Sequence, residues 1–259
     1  MNISPASPDE LATHPDRLVL FETSHNFRDL GGYPVANGGV TKWGEVFRAD
    51  SLHHMSEGDN ALITQLGVRH IVDLRSADEL VTRGKFPVER HEVSFHHHPV
   101  LDLSWNDDDV PNTDDPMEFL LWAYPEMLSK GRTRFADAVA SIANAQGTVV
   151  FHCAAGKDRT GLLAMMVLGS LGCDHEVIVA DYEQSEAAMK RLTEWAMNHS
   201  KELADRIGVT PASFMRADGR AMRIIIEGLV AEHGSLREYT KSLGVTEETL
   251  AKLEAKLVA

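Results

Sequence analysis

The sequence predicts an α/β protein whose central parallel or mixed sheet is flanked by helices and followed by a helical C-terminal part. Three observations carry this prediction. Short apolar runs typical of buried strands alternate with segments of helical periodicity up to about residue 170. From residue 174 onward only helical periodicity remains. Between these parts, the apolar run TVVFH leads through a short polar loop into the apolar helical run LLAMMVLGSLG.

The length of the chain and its composition predict one domain. Its 259 residues suffice for one large α/β domain or two small ones. Neither an internal repeat nor a low-complexity tract divides the sequence. Residues 1–17 are rich in Pro, Ser, Asp and Glu and predict a flexible N-terminal arm. We therefore expect a single domain over residues 18–259.

Local signals predict the elements that precede the polar loop. A strand-like run from Arg17 ends in a Gly-Gly turn, and Asn37-Gly38-Gly39 predicts the turn of a hairpin. Ser56 is a suitable cap for a short helix, and Gly84 is expected to end another. The other elements expected here are strands over 68–76 and 92–100 and helices over 117–130 and 133–145.

Residues 102–130 form a segment of different character. Residues 102–117 are acidic, carry two prolines and predict an exposed loop, and apolar residues at helical spacing follow. Two interpretations stay open for this insertion. It is either a mobile lid beside an active site or an ordinary helix packed on the core.

Composition excludes some partners and predicts the state of the cysteines. The formal net charge of −14 makes nucleic acid and anionic membranes poor general partners, so positive charge must be concentrated locally to bind an anion. The two cysteines, Cys153 and Cys173, are separated by the length of a predicted helix, which is beyond disulfide reach. We therefore expect two free thiols.

The N-terminal residues predict a cytoplasmic location. They contain neither the basic region nor the apolar region of a signal peptide. The longest apolar stretch is too short to cross a bilayer, so no stable membrane insertion is expected. Export without a recognisable signal stays open as an alternative, as does the oligomeric state.

The decapeptide HCAAGKDRTG, His152–Gly161, predicts an oxyanion site. A turn from a strand into a helix directs successive backbone N–H groups and the positive end of the helix dipole at one point. That point suits phosphate. The residues expected to bind the substrate there are Ala154, Ala155, Gly156, Lys157 and Thr160.

Two side chains of the decapeptide predict phosphoryl transfer. Cys153 opens the loop, and the field of the loop favours the nucleophilic thiolate. Arg159 closes the loop, and its planar guanidinium matches two oxygens of a phosphoryl group. A thiolate that faces a bound phosphate predicts catalysis through a cysteinyl-phosphate intermediate, without a metal or another cofactor.

Three motifs together resemble one known family. HCxxGKDRTG at the loop, NFRDLGGYP at Asn26–Pro34 and IVDLRS at Ile71–Ser76 are similar to motifs of the atypical bacterial protein tyrosine phosphatases. The resemblance covers about residues 20–255. It implies a protein tyrosine phosphatase-like fold with a helical lid-like insertion at 102–130. It also implies hydrolysis of phosphotyrosine, with phosphoserine, phosphothreonine or phosphoinositides as further candidate substrates.

A general acid is expected near the scissile bond, because a serine or inositol oxygen needs a proton when it leaves. The sequence contains no WPD motif, which departs from the wider tyrosine phosphatase superfamily. Asp158 is the first candidate because it lies in the loop itself, where the family pattern retains it. Asp73 and Asp102 are the alternatives, and Asp73 could instead form a structural salt bridge with Arg75 or Arg48.

The remaining candidates have supporting roles. His152 is expected to orient the loop, and Thr160 either to hydrogen-bond the thiolate or to satisfy a backbone donor. Lys157 either adds positive charge at the mouth of the pocket or is merely solvated. For Arg28 and Asp29 a buried ion pair that supports the loop is favoured over a contact with substrate.

Other function classes and metal binding are less well supported by the sequence. A phosphate-binding module without turnover and a rhodanese-like sulfurtransferase are the alternative functions. His96 and His98 would share one strand face, but no ligand cluster accompanies them, so we expect no metal site. The expected partners are phosphorylated proteins or phosphoinositides as substrates.

Overall fold

A computed structural model describes residues 6–101, 111, 113, 115–209 and 215–259. In this part of the chain, five strands form one sheet in the order β1-β2-β5-β3-β4. The strands are β1 (Arg28–Asp29), β2 (Val46–Ala49), β3 (Val68–Asp73), β4 (Ser94–His97) and β5 (Thr148–His152). β1 is antiparallel to β2 and the other pairs are parallel, which confirms the predicted α/β class with a mixed sheet.

The register of the sheet determines where the polar loop begins. His152 at the end of β5 pairs with Ala49 at the end of β2 and with Asp73 at the end of β3. The carboxyl ends of three neighbouring parallel strands therefore meet at one point. Ligands of open α/β sheets bind at this edge.

Helices cover both faces of the sheet. The described helices are α1 (Pro8–Ala12), α2 (Glu57–Gln65), α3 (Ala77–Arg83), α4 (Pro116–Lys130), α5 (Arg132–Asn144), α6 (Asp158–Ser170), α7 (His175–His199), α8 (Lys201–Val209), α9 (Gly219–His233), α10 (Leu236–Ser242) and α11 (Glu247–Leu257). Among them, none has the length together with the apolar character that a membrane-crossing helix requires.

The core lies on both sides of β5. Val149 and Phe151 join the larger apolar cluster, which contains α5 and α6, whereas Val150 joins a smaller cluster on the opposite face. This alternation follows from the period of two in a strand. Residues 160–170 of α6 are buried on every side, because the helix packs between the sheet and the C-terminal helices.

Residues 8–17 differ from the flexible arm that composition predicts. Ser7 and Glu10 form a reciprocal capping box that starts α1, and α1 packs on α7. Ala12 and Arg17 are buried. The arm was predicted from polar composition alone, and the capping pair and the buried guanidinium explain why the segment packs instead.

The insertion at 102–130 is described only in part. Residues 102–110, 112 and 114 lie outside the described residues, and with them the candidate acid Asp102. α4 packs into the larger core cluster, where Leu120, Ala123 and Tyr124 are fully buried. For residues 116–130 this packing favours the ordinary core helix over the lid that the family resemblance suggests.

Candidate active site

The loop between β5 and α6 depends on a glycine. Gly156 has a φ of +65°, and a Cβ at this position would lie 2.5 Å from the carbonyl oxygen of Ala49. A side chain is therefore excluded both by the left-handed backbone and by the close approach to β2. The glycine lets the loop curl over the carboxyl edge of the sheet.

Three consecutive loop carbonyls are held by donors outside the loop. The Ser51 N–H donates to Ala154 O (3.1 Å), Asn26 Nδ2 to Ala155 O (3.0 Å) and Arg48 Nη2 to Gly156 O (2.8 Å). In a trans peptide the next N–H points opposite to the carbonyl. Fixing these carbonyls outward therefore turns the N–H groups of residues 155–157 to the other side. Among the described residues, the N–H groups of residues 154–156 have no acceptor.

The Cys153 thiol lies where this cradle begins. Its side chain is 2% exposed, and both it and Cys173 are free cysteines, as expected. Burial would lower the pKa of Arg159, but the Cys153 sulfur and the Glu79 carboxylate raise it above its ordinary value. The electrostatic influence of Cys153 extends to Arg48, whose pKa falls to about 10 mainly through burial and the neighbouring Arg28. Two guanidinium groups thus lie within the field of one sulfur.

The guanidinium of Arg159 is held by an acidic residue that the sequence analysis did not single out. Its Nη1 and Nη2 donate to the two carboxylate oxygens of Glu79, at 2.6 and 3.1 Å. Nη1 also donates to the Leu74 carbonyl at 3.4 Å, so Nε and the second N–H of Nη2 are the donors that remain for substrate oxygens. Burial would raise the pKa of Glu79, but the Arg159 bonds lower it to about 2. Glu79 is therefore a charged carboxylate, and its two bonds fix the plane of the Arg159 guanidinium.

Replacing Glu79 with glutamine is expected to remove a pH-dependent part of the stability. The folded pKa of about 2 lies below the ordinary 4.5, so the ionised Glu79 stabilises the fold above pH 4.5. This contribution is lost as the pH falls towards 2. The difference in free energy of unfolding between wild type and Glu79→Gln should therefore shrink over that range in urea denaturation. A difference that stays constant from pH 7 to pH 2.5 would rule out the ion pair.

A buried ion-pair network supports the loop from behind. Asp181 of α7 accepts from Arg28 Nε (3.0 Å) and Arg48 Nη1 (2.6 Å), and Arg48 also holds the Gly156 carbonyl. Burial would raise the pKa of Asp181, but Arg28 and Arg48 lower it far below its usual range. The chain Arg28–Asp181–Arg48 thus ties β1 and α7 to the loop.

The expected ion pair between Arg28 and Asp29 is wrong. Consecutive strand residues point to opposite faces of a sheet, so the two side chains cannot meet. The Asp29 carboxylate instead accepts from the N–H groups of Gly31 and Gly44, both at 2.7 Å. The partner of Arg28 is Asp181, which lies 153 positions away along the chain.

Asp158 and Lys157 lie at the start of α6, and both have buried partners. The Tyr124 hydroxyl donates to Asp158 Oδ1 at 2.8 Å and lies 2.5 Å from the Tyr182 hydroxyl. Lys157 is fully buried, and its Nζ donates to the Arg216 carbonyl at 2.7 Å and lies 3.4 Å from Asp158 Oδ1. Both expectations for Lys157, a charge at the pocket mouth and a solvated side chain, are therefore wrong.

Asp73 forms the structural salt bridge that was its alternative interpretation. It makes a buried bidentate pair with Arg75, with Oδ2 2.6 Å from Arg75 Nη2. Burial would raise the pKa of Asp73, but His152 and Arg75 lower it. A carboxyl group held in its charged form is a poor proton donor, so this geometry favours a structural role for Asp73.

His152 and Thr160 are both fully buried. Burial lowers the pKa of His152, whose Nδ1 lies 3.2 Å from the Cys153 carbonyl and whose Nε2 lies 3.4 Å from Asp73 Oδ2. These contacts fit the expected orienting role. The Thr160 hydroxyl makes neither of the two bonds expected of it, since it has no partner among the described residues.

The described residues contain no group of three or more His, Cys, Asp or Glu side chains that converge as metal ligands. His96 and His98 lie on one face, with ring centroids 6.4 Å apart, and His96 Nε2 lies 3.2 Å from His70 Nδ1. The candidate active site is the loop after β5.

Comparison with known proteins identifies one family across almost the whole chain. A model of the tyrosine phosphatase family matches residues 19–259. The chain is 31% identical over 219 residues to a Cupriavidus necator protein provisionally named a tyrosine-protein phosphatase, covering 81% of this chain and 77% of that protein. It is 27% identical to the triple specificity protein phosphatase PtpB of Mycobacterium tuberculosis, covering 90% and 96% of the two chains.

A solved structure of P. aeruginosa TpbA in complex with pTyr is a more distant match. It is 14% identical, with a TM-score of 0.33, and the match covers 76% of this chain and 99% of that one. The family model spans nearly the whole described domain, including the loop and its supporting network. The chain therefore belongs to the tyrosine phosphatase family.

Proposed function

We propose that this protein is a cysteine-dependent phosphatase that hydrolyses phosphotyrosine through a cysteinyl-phosphate intermediate. The observation that carries the proposal is the loop after Cys153, in which donors outside the loop hold three consecutive carbonyls pointing outward. This arrangement presents inward N–H donors before any ligand arrives. Donors that need no reorganisation are the main source of electrostatic catalysis.

The first chemical step is attack of the Cys153 sulfur on phosphorus. An S–P bond forms as the bond from phosphorus to the leaving oxygen breaks, and Asp158 gives a proton to that oxygen. Arg159 and the inward N–H groups bind the three equatorial oxygens. The geometry supports this assignment because Tyr124 holds Asp158 Oδ1, which leaves Oδ2 for the proton.

The second step returns the enzyme to its starting state. A water molecule attacks phosphorus, Asp158 takes its proton, and the S–P bond breaks to release phosphate and the thiolate. Microscopic reversibility is satisfied because the same carboxyl group acts first as acid and then as base.

The purified protein is expected to hydrolyse 4-nitrophenyl phosphate in the presence of EDTA, because the thiol, the loop amides and Arg159 provide the nucleophile and the phosphate ligands. Vanadate should inhibit, since it presents the oxygens of the pentacoordinate state to the same donors. Phosphate binding without turnover would indicate a binding module. Cyanide-dependent turnover of thiosulfate in place of phosphatase activity would indicate a sulfurtransferase.

The Asp158→Asn variant is expected to separate good from poor leaving groups. It should lower hydrolysis of an alkyl phosphate about 10²- to 10³-fold, but hydrolysis of 4-nitrophenyl phosphate much less, because only the alkoxide needs a proton. Asp174→Asn, at the exposed cap of α7, is the matched control and should leave both rates unchanged. Equal losses on both substrates would remove Asp158 from the acid role.

We extend the proposal to phosphoserine, phosphothreonine and phosphoinositides. The support is the triple specificity named for the mycobacterial relative. Lys157 adds no charge at the mouth of the pocket, because it is fully buried. A panel of phosphopeptides and phosphoinositides tests this breadth, and turnover of phosphotyrosine peptides alone would restrict the enzyme to one class.

A reduced Cys153 favours a cytoplasmic location, which cell fractionation tests.

A further inference from the structure

A cationic cavity lies behind β1, separate from the loop. It has a volume of about 240 Å³ and is lined by residues 12–15, 17 and 18, by Arg28 of β1, and by Gln184 and Arg191 of α7. Arg17, Arg28 and Arg191 line it together with Gln184 and His14, and none of its lining residues is acidic. Such a concentration of positive charge is unexpected in a chain with a net charge of −14.

The charge of Arg17 is only partly compensated. Its Nε and Nη1 donate to the carbonyls of Leu11 (3.0 Å) and Asp29 (2.6 Å), while the buried Nη2 has no acceptor among the described residues. The guanidinium stacks on the Tyr33 ring, 3.8 Å from its centroid. Two neutral carbonyls and an aromatic ring contact the guanidinium, but they do not neutralise its positive charge.

Arg28 and Arg191 add to the excess of positive charge. Asp181 is the carboxylate that Arg28 contacts, but Arg48 shares it. Arg191 donates from Nε and Nη2 to the His25 carbonyl, at 3.3 and 2.9 Å, and its half-buried guanidinium has no carboxylate within ion-pair distance among the described residues. Burial and the nearby charge of Arg28 both lower the pKa of Arg191. The guanidiniums therefore repel one another, and an anion between them would relieve the repulsion.

We propose that this cavity binds a phosphate group, held by the guanidinium of Arg191 and the amide of Gln184 in the field of Arg17 and Arg28. A dianion suits three cationic side chains, and guanidinium groups match phosphate geometry. The volume exceeds that of an inorganic ion and leaves room for an organic substituent. The phosphate group is therefore that of a small phosphorylated molecule or of inorganic phosphate.

The cavity is connected to the catalytic loop through a continuous set of contacts. Arg28 lines the cavity and binds Asp181, Asp181 binds Arg48, and Arg48 holds the Gly156 carbonyl. An anion that draws on the charge of Arg28 thus acts on the network that fixes the loop. Phosphate bound in the cavity would thus affect the residues that support the active site, although it does not enter the active site itself.

The test is an NMR titration that follows the arginine Nε–H signals of the intact protein. Inorganic phosphate is one ligand, and propylphosphonate, whose C–P bond a phosphatase does not hydrolyse, is the other. The signals of Arg17 and Arg191 should shift and saturate. Gln184→Glu, which replaces the amide donor with a negative charge, should weaken this binding at least about tenfold, whereas Gln184→Met, which removes the donor without adding a charge, should weaken it less.

Each outcome is decisive because the reporters are local. The Nε–H signal of Arg159 reports binding at the catalytic loop, whereas those of Arg17 and Arg191 report binding in the cavity. The cavity proposal can therefore be tested even if the phosphatase proposal fails. Tighter binding of propylphosphonate identifies an organic phosphate as the ligand, and tighter binding of inorganic phosphate identifies the free ion. Unshifted Arg17 and Arg191 signals overturn the proposal, as do equal affinities of the Gln184→Glu and Gln184→Met variants, provided that thermal unfolding shows both to be folded.

Discussion

The Cys153→Ser variant is expected to lose turnover of 4-nitrophenyl phosphate by roughly 10⁴-fold or more, because removing the nucleophile of a covalent mechanism removes the intermediate. The loop donors are untouched by this change. The variant should therefore still bind vanadate or phosphate by calorimetry. Turnover within tenfold of wild type would exclude Cys153 as the nucleophile.

Cys173→Ser is the matched control for that variant. Cys173 is a buried thiol beyond the far end of α6, and burial raises its pKa to about 12, so it remains a protonated, inert side chain. The variant should keep the wild-type rate. A comparable loss in both variants would point to a general effect of cysteine replacement rather than to chemistry at the loop.

The second large effect is expected for Arg159→Lys, which should lower kcat/KM by about 10²- to 10³-fold. Lysine keeps the positive charge but not the planar pair of N–H donors that matches two phosphoryl oxygens. It also cannot reproduce the two bonds to Glu79. The loss should appear mainly in kcat, because the equatorial oxygens need these donors most in the transition state. Steady-state kinetics with 4-nitrophenyl phosphate measures it.

Arg223→Lys provides the matched control for Arg159→Lys. Arg223 makes the same two-bond contact with a carboxylate, that of Glu176, at 2.8 and 2.6 Å, but on the surface between α9 and α7. Its replacement should leave kcat/KM unchanged. An Arg159→Lys variant as active as Arg223→Lys would show that the two N–H donors of Arg159 are dispensable.

The sequence predicted the local elements well because their signals are local. Ser56 caps α2 through the side-chain bonds expected of it, and Gly84 ends α3 with a φ of +85°. The loop itself was also predictable, since a strand, a glycine and a helix N-terminus follow each other within a few residues. Each of these inferences required only neighbours along the chain.

The supporting contacts of the site could not be predicted in this way. Asp181 sits in an amphipathic helix like any other polar residue, and only the packing of α7 on the sheet brings it to Arg28 and Arg48. Glu79 was recognisable as the third helical residue of a capping box with Ser76, but its second role depends on where α3 lies against the loop. Tertiary placement decides both contacts.

During turnover the phosphoryl group is expected to pass through the Cys153 sulfur. The direct measurement is rapid mixing of the enzyme with a phosphotyrosine peptide labelled in its phosphate, followed by quenching in denaturing detergent and peptide mapping. Transient label is expected on the peptide that contains Cys153, and none on the Cys153→Ser protein. Turnover without label on that peptide, or with label on another residue, would contradict this expectation.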